Sequence, residues 1–260
     1  MRPYCYFNAI DKKEGKVSEQ EQNKVALVII AHPDDAEFGA AGTVATWAQA
    51  GWDVYYVVCT DGAAGGPDDA TDVGSAARRR DSEVRKNEQR AAGRVLGLKD
   101  VVFLDYPDGL LEPTIELRRD LVRVLRRFRP SRVIFQSPDR IWTPSLMIRR
   151  FHPDHLAAGR AAMAAIYPAS QNPWDFPELL EEGLLPHKVS EIYIMGAPVV
   201  NYFVDISNVI DQKIEALLAH KSQFPGRFDE IMQMIRTRSA ELGEKYGVSY
   251  AEDFHFTENK

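Results

Sequence analysis

The stretch VALVIIAHPDDAEFGAAGT, Val25–Thr43, decides how the chain is read. Its first six residues are apolar without a break and rich in β-branched side chains. An uninterrupted run suits a strand covered on both faces, because a half-exposed strand would alternate apolar and polar residues. The run stops at His32-Pro33-Asp34-Asp35, and a helix-like segment from about Glu37 to Ala50 follows, closed by Gly51. Strand, polar turn and helix in that order open a βαβ unit.

The rhythm continues along the chain. Asp53–Thr60 (DVYYVVCT) reads as a second strand, and the loop from Asp61 to Gly74 is rich in Gly, Asp, Ala and Pro. A charged helix from Ala77 to Leu96 stops at Gly97. Val101–Tyr106 is a third strand, followed by the turn Pro107-Asp108-Gly109. A helix from Thr114 to Phe128 ends before Pro130, and Arg132–Gln136 is a fourth strand. A loop with Pro138 and Pro144 leads to a helix starting near His152. Residues 168–187 carry four prolines and read as irregular. Glu191–Met195 and Tyr202–Ile206 are two further strands, and helices at about Val209–Gln223 and Phe228–Tyr246 complete the pattern. Alternation at this spacing predicts an α/β fold: one Rossmann-like domain over residues 25–260, with a mostly parallel sheet and helices on both faces. Residues 1–24 are polar and without period, so they read as an arm. Ligands of such sheets bind at the carboxyl ends of the strands. Chemistry is therefore expected after Ile30, Thr60, Tyr106 and Gln136.

The 260 residues are 45% hydrophobic and 27% charged, an ordinary globular mix that excludes a disordered or collagen-like chain. Two cysteines are too few for a disulfide framework, and Cys59, inside an apolar run, reads as a reduced core residue. A net charge of −6 argues against a nucleic-acid partner. The longest apolar stretch, Val25–Ala31, falls far short of the roughly 20 residues that cross a bilayer. The first residues lack the apolar core of a signal peptide, so a cytoplasmic location is the expectation.

Two segments at the chemical edge of the sheet stand out: His32-Pro33-Asp34-Asp35 after the first strand, and His152-Pro153-Asp154-His155 after the fourth. Polar groups at the end of a buried strand need partners, and a metal ion is one. Imidazole and carboxylate donors without thiolate suit Zn²⁺, with Fe²⁺ or Mn²⁺ as competitors. His152 and His155 are three residues apart near a helix start, so both can face one cavity. Two imidazoles and one carboxylate leave a fourth position open, as in catalytic zinc sites. Adjacent Asp34 and Asp35 cannot easily share one ion. If Asp35 binds it, Asp34 is left to act as a general base on a water whose pKa the metal lowers. The histidine of the second pair not used as a ligand could polarise a carbonyl, with Asp154 holding its tautomer. Together these groups describe hydrolysis of an amide or ester. A dinucleotide site would need a glycine-rich turn here, and the two carboxylates of HPDDAEFG would repel a pyrophosphate.

AHPDDAEFGAAGT (Ala31–Thr43) together with HPDH (His152–His155) resembles the PIG-L/LmbE family of zinc-dependent de-N-acetylases. Thr60-Asp61-Gly62, Arg85 with Glu88, Leu96-Gly97 and Tyr106-Pro107-Asp108-Gly109 extend the resemblance, which spans Val25 to about His220. It implies His32, Asp35 and His155 as metal ligands, Asp34 as general base, and His152 facing the carbonyl oxygen with Asp154 behind it. Spacing alone does not choose His155 over His152 as ligand. The resemblance also implies Arg85 and Asp108 as contacts to sugar hydroxyls, a small N-acetylated sugar as substrate, and a homo-oligomer, a trimer or hexamer. The implied activity is removal of an acetyl group from an N-acetylglucosamine moiety of a small glycoside. An amidase cleaving thiol–sugar conjugates is the alternative. By residue type alone, Arg85 in RRRDSEVRK also fits a solvated helix face. Tyr193 and Tyr202 are candidates for an oxyanion tyrosine, with core packing as the competing reading. The loop Asp139–Phe151, with Arg140, Trp142, Arg149 and Arg150, could cover the site or receive an anion. His187, His220 and His255 read as ordinary surface or cap histidines.

Overall fold

The computed structural model describes residues 24–260 apart from 68, 144, 147, 149 and 150. The arm expected at 1–24 falls, but for Lys24, outside the described residues, as do Cys5, Arg149 and Arg150. Among the described residues, strands β1 (Val25–Ile30), β2 (Asp53–Thr60), β3 (Asp100–Tyr106), β4 (Arg132–Gln136), β5 (Glu191–Met195), β6 (Tyr202–Asp205) and β7 (Ala251–Glu258) form one sheet in the order β3-β2-β1-β4-β5-β7-β6. β1 pairs in parallel with β2 and β4, β2 with β3, and β4 with β5. β7 alone is reversed, lying antiparallel between β5 and β6. Helices α1 (Asp35–Gly39), α2 (Ala41–Gln49), α3 (Ser75–Leu96), α4 (Ile115–Phe128), α5 (Pro153–Ala164), α6 (Glu178–Glu181), α7 (Ile210–Leu218) and α8 (Phe228–Tyr246) cover the sheet. No helix among the described residues is long and apolar enough to cross a membrane.

The continuous apolar run of β1 finds the two faces it needs. Ala26, Val28 and Ile30 pack in one core with Val44, Ile214 and Phe254; Leu27 and Ile29 pack in the other with Leu121, Ala158 and Ala162. Each Val, Leu or Ile side chain so removed from water contributes roughly 1.5–3 kcal/mol. Cys59 is free and buried in the second core.

Two readings from sequence need correction. The single helix expected from Glu37 to Ala50 is two, broken at Ala40 (φ −145°, ψ 0°). A continuous helix would pair the Phe38 carbonyl with the Gly42 N–H. Here Lys213 Nζ donates to the Phe38 carbonyl at 3.0 Å, and Glu252 accepts from the N–H groups of Gly42 and Thr43 at 2.9 and 2.7 Å. The second helix, expected from Val209 to Gln223, ends at Leu218, with a separate 3₁₀ turn at Lys221–Gln223.

Strand β7 was not expected at all. Phe254 and Phe256 show the period of two, but Glu252 stands on the same face, where a third apolar residue would have completed the pattern. Glu252 is buried and occupies the N-terminus of α2, where it also accepts from Thr43 Oγ1 at 2.6 Å and from Lys213 Nζ at 2.5 Å. The free N–H groups of a helix start favour a carboxylate. Glu252→Ala would leave buried Lys213 without its counter-ion. It is expected to lower unfolding free energy by about 3–5 kcal/mol. Denaturant melts check this, and a loss under about 1 kcal/mol would show the pair to be dispensable.

Candidate metal centre and active site

The site is built where three strand ends meet. The Ala31 N–H donates to Gln136 Oε1 at the end of β4 (2.8 Å), and the Ala31 carbonyl accepts from the Thr60 N–H and Oγ1 at the end of β2 (2.9 and 2.8 Å). This clamp fixes the exit of β1. The chain then turns sharply through His32-Pro33-Asp34 into α1. Asp34 takes φ 91°, ψ −22°, a left-handed conformation that costs a residue with a side chain on the order of 1–3 kcal/mol. Arg85, buried on α3, donates to the carbonyls of Pro33 (2.8 Å) and Gly62 (3.2 Å) and holds the turn from outside. Gly62 has φ +67°, and a Cβ there would sit 3.1 Å from the Pro33 ring, so the close approach requires glycine. The second motif starts α5. His152 is its N-cap and Pro153 opens the first turn; the His152 Nδ1 accepts from the Asp154 N–H at 3.2 Å.

The fold brings the two motifs together around the His32 ring. On the Nδ1 side lie His155 Nε2 at 3.2 Å and Asp35 Oδ2 at 3.4 Å, while His155 Nε2 and Asp35 Oδ1 are 3.0 Å apart. Donors bound at about 2.1 Å to one tetrahedral ion stand about 3.4 Å apart, and each of these pairs lies near that spacing, with Asp35 turning a different oxygen to each imidazole. On the Nε2 side lie Asp154 Oδ2 and Asp108 Oδ1, each at 3.1 Å. His32 thus has acid partners on both sides, and the two sides differ. Asp154 already accepts from the N–H groups of Gly109 (2.8 Å) and Leu111 (3.2 Å), and Asp108 from that of Ala64 (2.9 Å). Carboxylates so engaged suit the task of accepting the Nε2–H of His32, which leaves the Nδ1 lone pair facing Asp35 and His155.

The charges fit a cation. Four carboxylates, Asp34, Asp35, Asp108 and Asp154, gather here, and the Arg85 guanidinium meets two of them, 3.6 Å from Asp34 and 3.5 Å from Asp108. Burial opposes ionisation of Asp35, yet His155 and His32 outweigh it and hold the acid well below the usual range. Burial also opposes ionisation of Asp108, but His32, the Ala64 N–H and Arg85 bring it down to about 2. Asp154 is lowered in the same way, against burial, by His32 and its two backbone donors. Burial would discharge His32, but Asp108, Asp154 and Asp35 raise it well above its ordinary value. Asp34 goes the other way. Burial raises it to about 6, with Arg85 opposing and the Asp35 charge adding. Two adjacent carboxylates with oppositely shifted acidity are the arrangement that separates a ligand from a base.

The sequence expectations fare unevenly. His32, Asp34, Asp35, Arg85, Asp108, His152, Asp154 and His155 all converge on this edge of the sheet. His152 is half exposed, its ring edge-on to His32 at 4.8 Å between centroids, and burial together with His32 lowers its pKa. The Asp154 carboxylate does not hold His152 as expected: it stands 4.0 Å from His152 Nδ1 and is turned to His32, because α5 starts with that carboxylate over the Gly109–Leu111 loop. Nor is Arg85 on a solvated face; it is 5% exposed and committed to the turn. Tyr193 is buried, donates to Glu191 at 2.7 Å and packs with Trp47, Tyr202 and Phe256, so it belongs to an aromatic cluster. His187 bonds the Pro130 carbonyl and His255 that of Val199, as ordinary histidines do. His220 is not at the surface: it stands at the N-cap position of the 3₁₀ turn, but its side chain makes no cap bond and is fully buried, with Nε2 3.4 Å from Glu37 Oε2. It continues the buried stripe Ile210, Lys213, Ile214, Leu217, a helical spacing that would have placed it inside. Sequence reasoning gave no role to Glu37, although it lies within the first motif, and missed Gln89 and Gln136, whose single polar letters carry no motif.

A cavity of about 630 Å³ opens beside Asp35 and His155, with Phe151, Met195, Arg238 and Glu241 among its walls. The model of the PIG-L family, GlcNAc-PI de-N-acetylase, matches residues 27–166, and with them every one of the converging residues. The chain belongs to the PIG-L family. It is 33% identical over 253 residues to the diacetylchitobiose deacetylase of Thermococcus kodakarensis, covering 96% of this chain and 90% of that one. It is 30% identical over 211 residues to a probable N-acetyl-alpha-D-glucosaminyl L-malate deacetylase 2 of Bacillus anthracis, covering 79% and 84%. The solved N,N'-diacetylchitobiose deacetylase from Pyrococcus horikoshii, in complex with its inhibitor MPG, superposes with a TM-score of 0.79 at 32% identity, covering 90% of this chain and 84% of that one. The two chitobiose deacetylases cover 96% and 90% of this chain, so that similarity extends past the family segment to α8 and β7, which help to line the cavity.

Proposed function

We propose that the chain is a metal-dependent N-deacetylase acting on an N-acetylglucosamine moiety of a small glycoside. The observation that carries this is the His32–Asp35–His155 triangle with Asp34, raised to about 6, beside it. The three relatives are deacetylases by name, which supports the same reading over an amidase of thiol conjugates. His32, Asp35 and His155 would hold the ion, a nitrogen and oxygen donor set that suits Zn²⁺, with Fe²⁺ and Mn²⁺ as competitors. When bound, the ion supplies a Lewis acid for the amide oxygen and lowers the pKa of a water. Asp34 takes the proton of the attacking water as the new C–O bond forms. His152, whose Nδ1 is occupied as an acceptor, presents Nε2–H to the developing oxyanion. Asp34 then gives its proton to the amine nitrogen as the C–N bond breaks and acetate leaves. Asp108 and Arg85, both nearly buried on the Nε2 side of His32, are the expected contacts to sugar hydroxyls in this reading. A 630 Å³ cavity is within the range that holds a ligand of disaccharide size. Residues 25–260 form the catalytic domain in this reading, and a trimer or hexamer is the expected assembly.

The test is acetate release from a panel of N-acetylglucosaminides that includes N,N'-diacetylchitobiose. Release should stop with a chelator and return with added Zn²⁺. A chain that holds one metal ion and releases no acetate from any of them would overturn the reading.

A further inference from the structure

Asp34 sits in its left-handed turn because something holds it there, and the holding groups lie behind the site, away from the cavity. The Asp34 N–H donates to Gln89 Oε1 at 3.0 Å. The other end of that amide, Gln89 Nε2, donates to Glu37 Oε1 at 3.0 Å. The second oxygen of Glu37 faces His220 Nε2 at 3.4 Å. Gln89, Glu37 and His220 are each 0% exposed. The segment carrying His220 is itself fastened to α3 and to the loop before it: the Ser222 N–H and Oγ donate to Glu88 at 2.8 and 2.6 Å, and Gln223 Nε2 donates to the Gly65 carbonyl at 3.1 Å.

The order of donors and acceptors in this chain is directional. An amide side chain can turn over and exchange its oxygen for its nitrogen. A carboxylate only accepts, so Glu37 obliges Gln89 to point its NH₂ inward and its oxygen at Asp34. With the amide reversed, an NH₂ would face the Asp34 N–H and the turn would lose its partner. Polar side chains buried this completely offer little stability that apolar groups of the same shape would not. Their arrangement makes sense as a means of fixing a backbone. We infer that Gln89, oriented by Glu37 and His220, is the positioning residue for Asp34: it sets the peptide from which the carboxylate of the base is aimed. This rests on the reading of Asp34 as base.

The decisive variant is Gln89→Met, similar in volume and without either hydrogen bond. With N,N'-diacetylchitobiose as substrate, kcat should fall at least tenfold while KM stays within threefold and metal content per chain is unchanged. E37Q, which lets the Gln89 amide reverse, should lower kcat in the same manner. The exchange E37Q with Q89E keeps an acceptor toward the Asp34 N–H and inverts the second bond, and should recover most of the kcat lost in Q89M. A merely structural role would move stability and leave kcat and the rescue untouched. Wild-type kcat in Q89M, a loss carried by KM or by metal content, or no recovery in the exchange would overturn the inference. If Q89M does not fold, E37Q is read on the same scale; failure of both to fold assigns the three residues to stability and also overturns it. A wild-type chain that releases no acetate fails earlier, at the assignment of the reaction, so the two failures are distinct.

Discussion

Asp34→Asn should keep one metal ion per chain and lose about 10²–10⁴-fold in kcat, the range a positioned general base contributes. Asparagine tolerates the left-handed backbone at φ 91° as well as aspartate does, so the turn and the neighbouring ligands stay in place. What is lost is the ability to accept a proton. The pH dependence carries the same signature. Burial puts Asp34 at about 6 before any ion is bound, so the basic form, and with it kcat/KM, increases as pH rises through that region. A cation beside Asp35 lowers the value, and the acid limb is expected at or below about pH 6. The limb should disappear in the variant. A variant that keeps more than a tenth of wild-type kcat, or one that retains the limb, would remove Asp34 as base.

His155→Ala should empty the metal site, since it removes one of three protein donors from the triangle around His32 Nδ1. Elemental analysis of the purified chain reads this directly. His152→Ala is the control: it leaves the triangle whole and should keep the metal while lowering kcat. Asp154→Asn probes the other side of His32, where the carboxylate accepts from the ring at 3.1 Å. Loss of such an outer partner weakens metal binding about 10–100-fold. Full occupancy in the His155 variant would hand the ligand role to another group, with His152 first in line. Unchanged affinity in the Asp154 variant would detach that residue from the metal.

Much of this was legible in the letters. The buried strand at Val25–Ile30 announces a sheet with two covered faces, and the strand-end rule then points to HPDD and HPDH. Residue type and chain position sufficed there, because each motif is short and its geometry is set by one turn. Partnership across the fold was not legible. Asp154 reads as the companion of His152 two residues away, and its carboxylate lies instead on His32, brought there by the packing of α5 on β1 and β4. Arg85 sits in a run of charges that reads as solvated, yet it is the residue of that run turned inward to hold the Pro33 carbonyl. Glu252 hid β7 because an acid at a core position breaks the apolar alternation. The break in the first helix is also non-local: its cause lies on α7 and β7, some 170 to 210 residues further along.

The reversed strand β7 also constrains the order in which the sheet can be completed. Among the described residues, β6 pairs only with β7, and β7 follows the other elements. As the polypeptide leaves the ribosome, β1 to β5 can assemble into a parallel sheet by short βα steps. β6 and the outer side of β5 must then wait, with their backbone groups open, until Ala251–Glu258 has emerged. Open edges of that kind invite pairing with other chains. The same strand brings Glu252 to the start of α2, one short helix beyond the turn that carries Asp34. Until Ala251–Glu258 pairs, both the edge of β5 and the start of α2 therefore lack their partners.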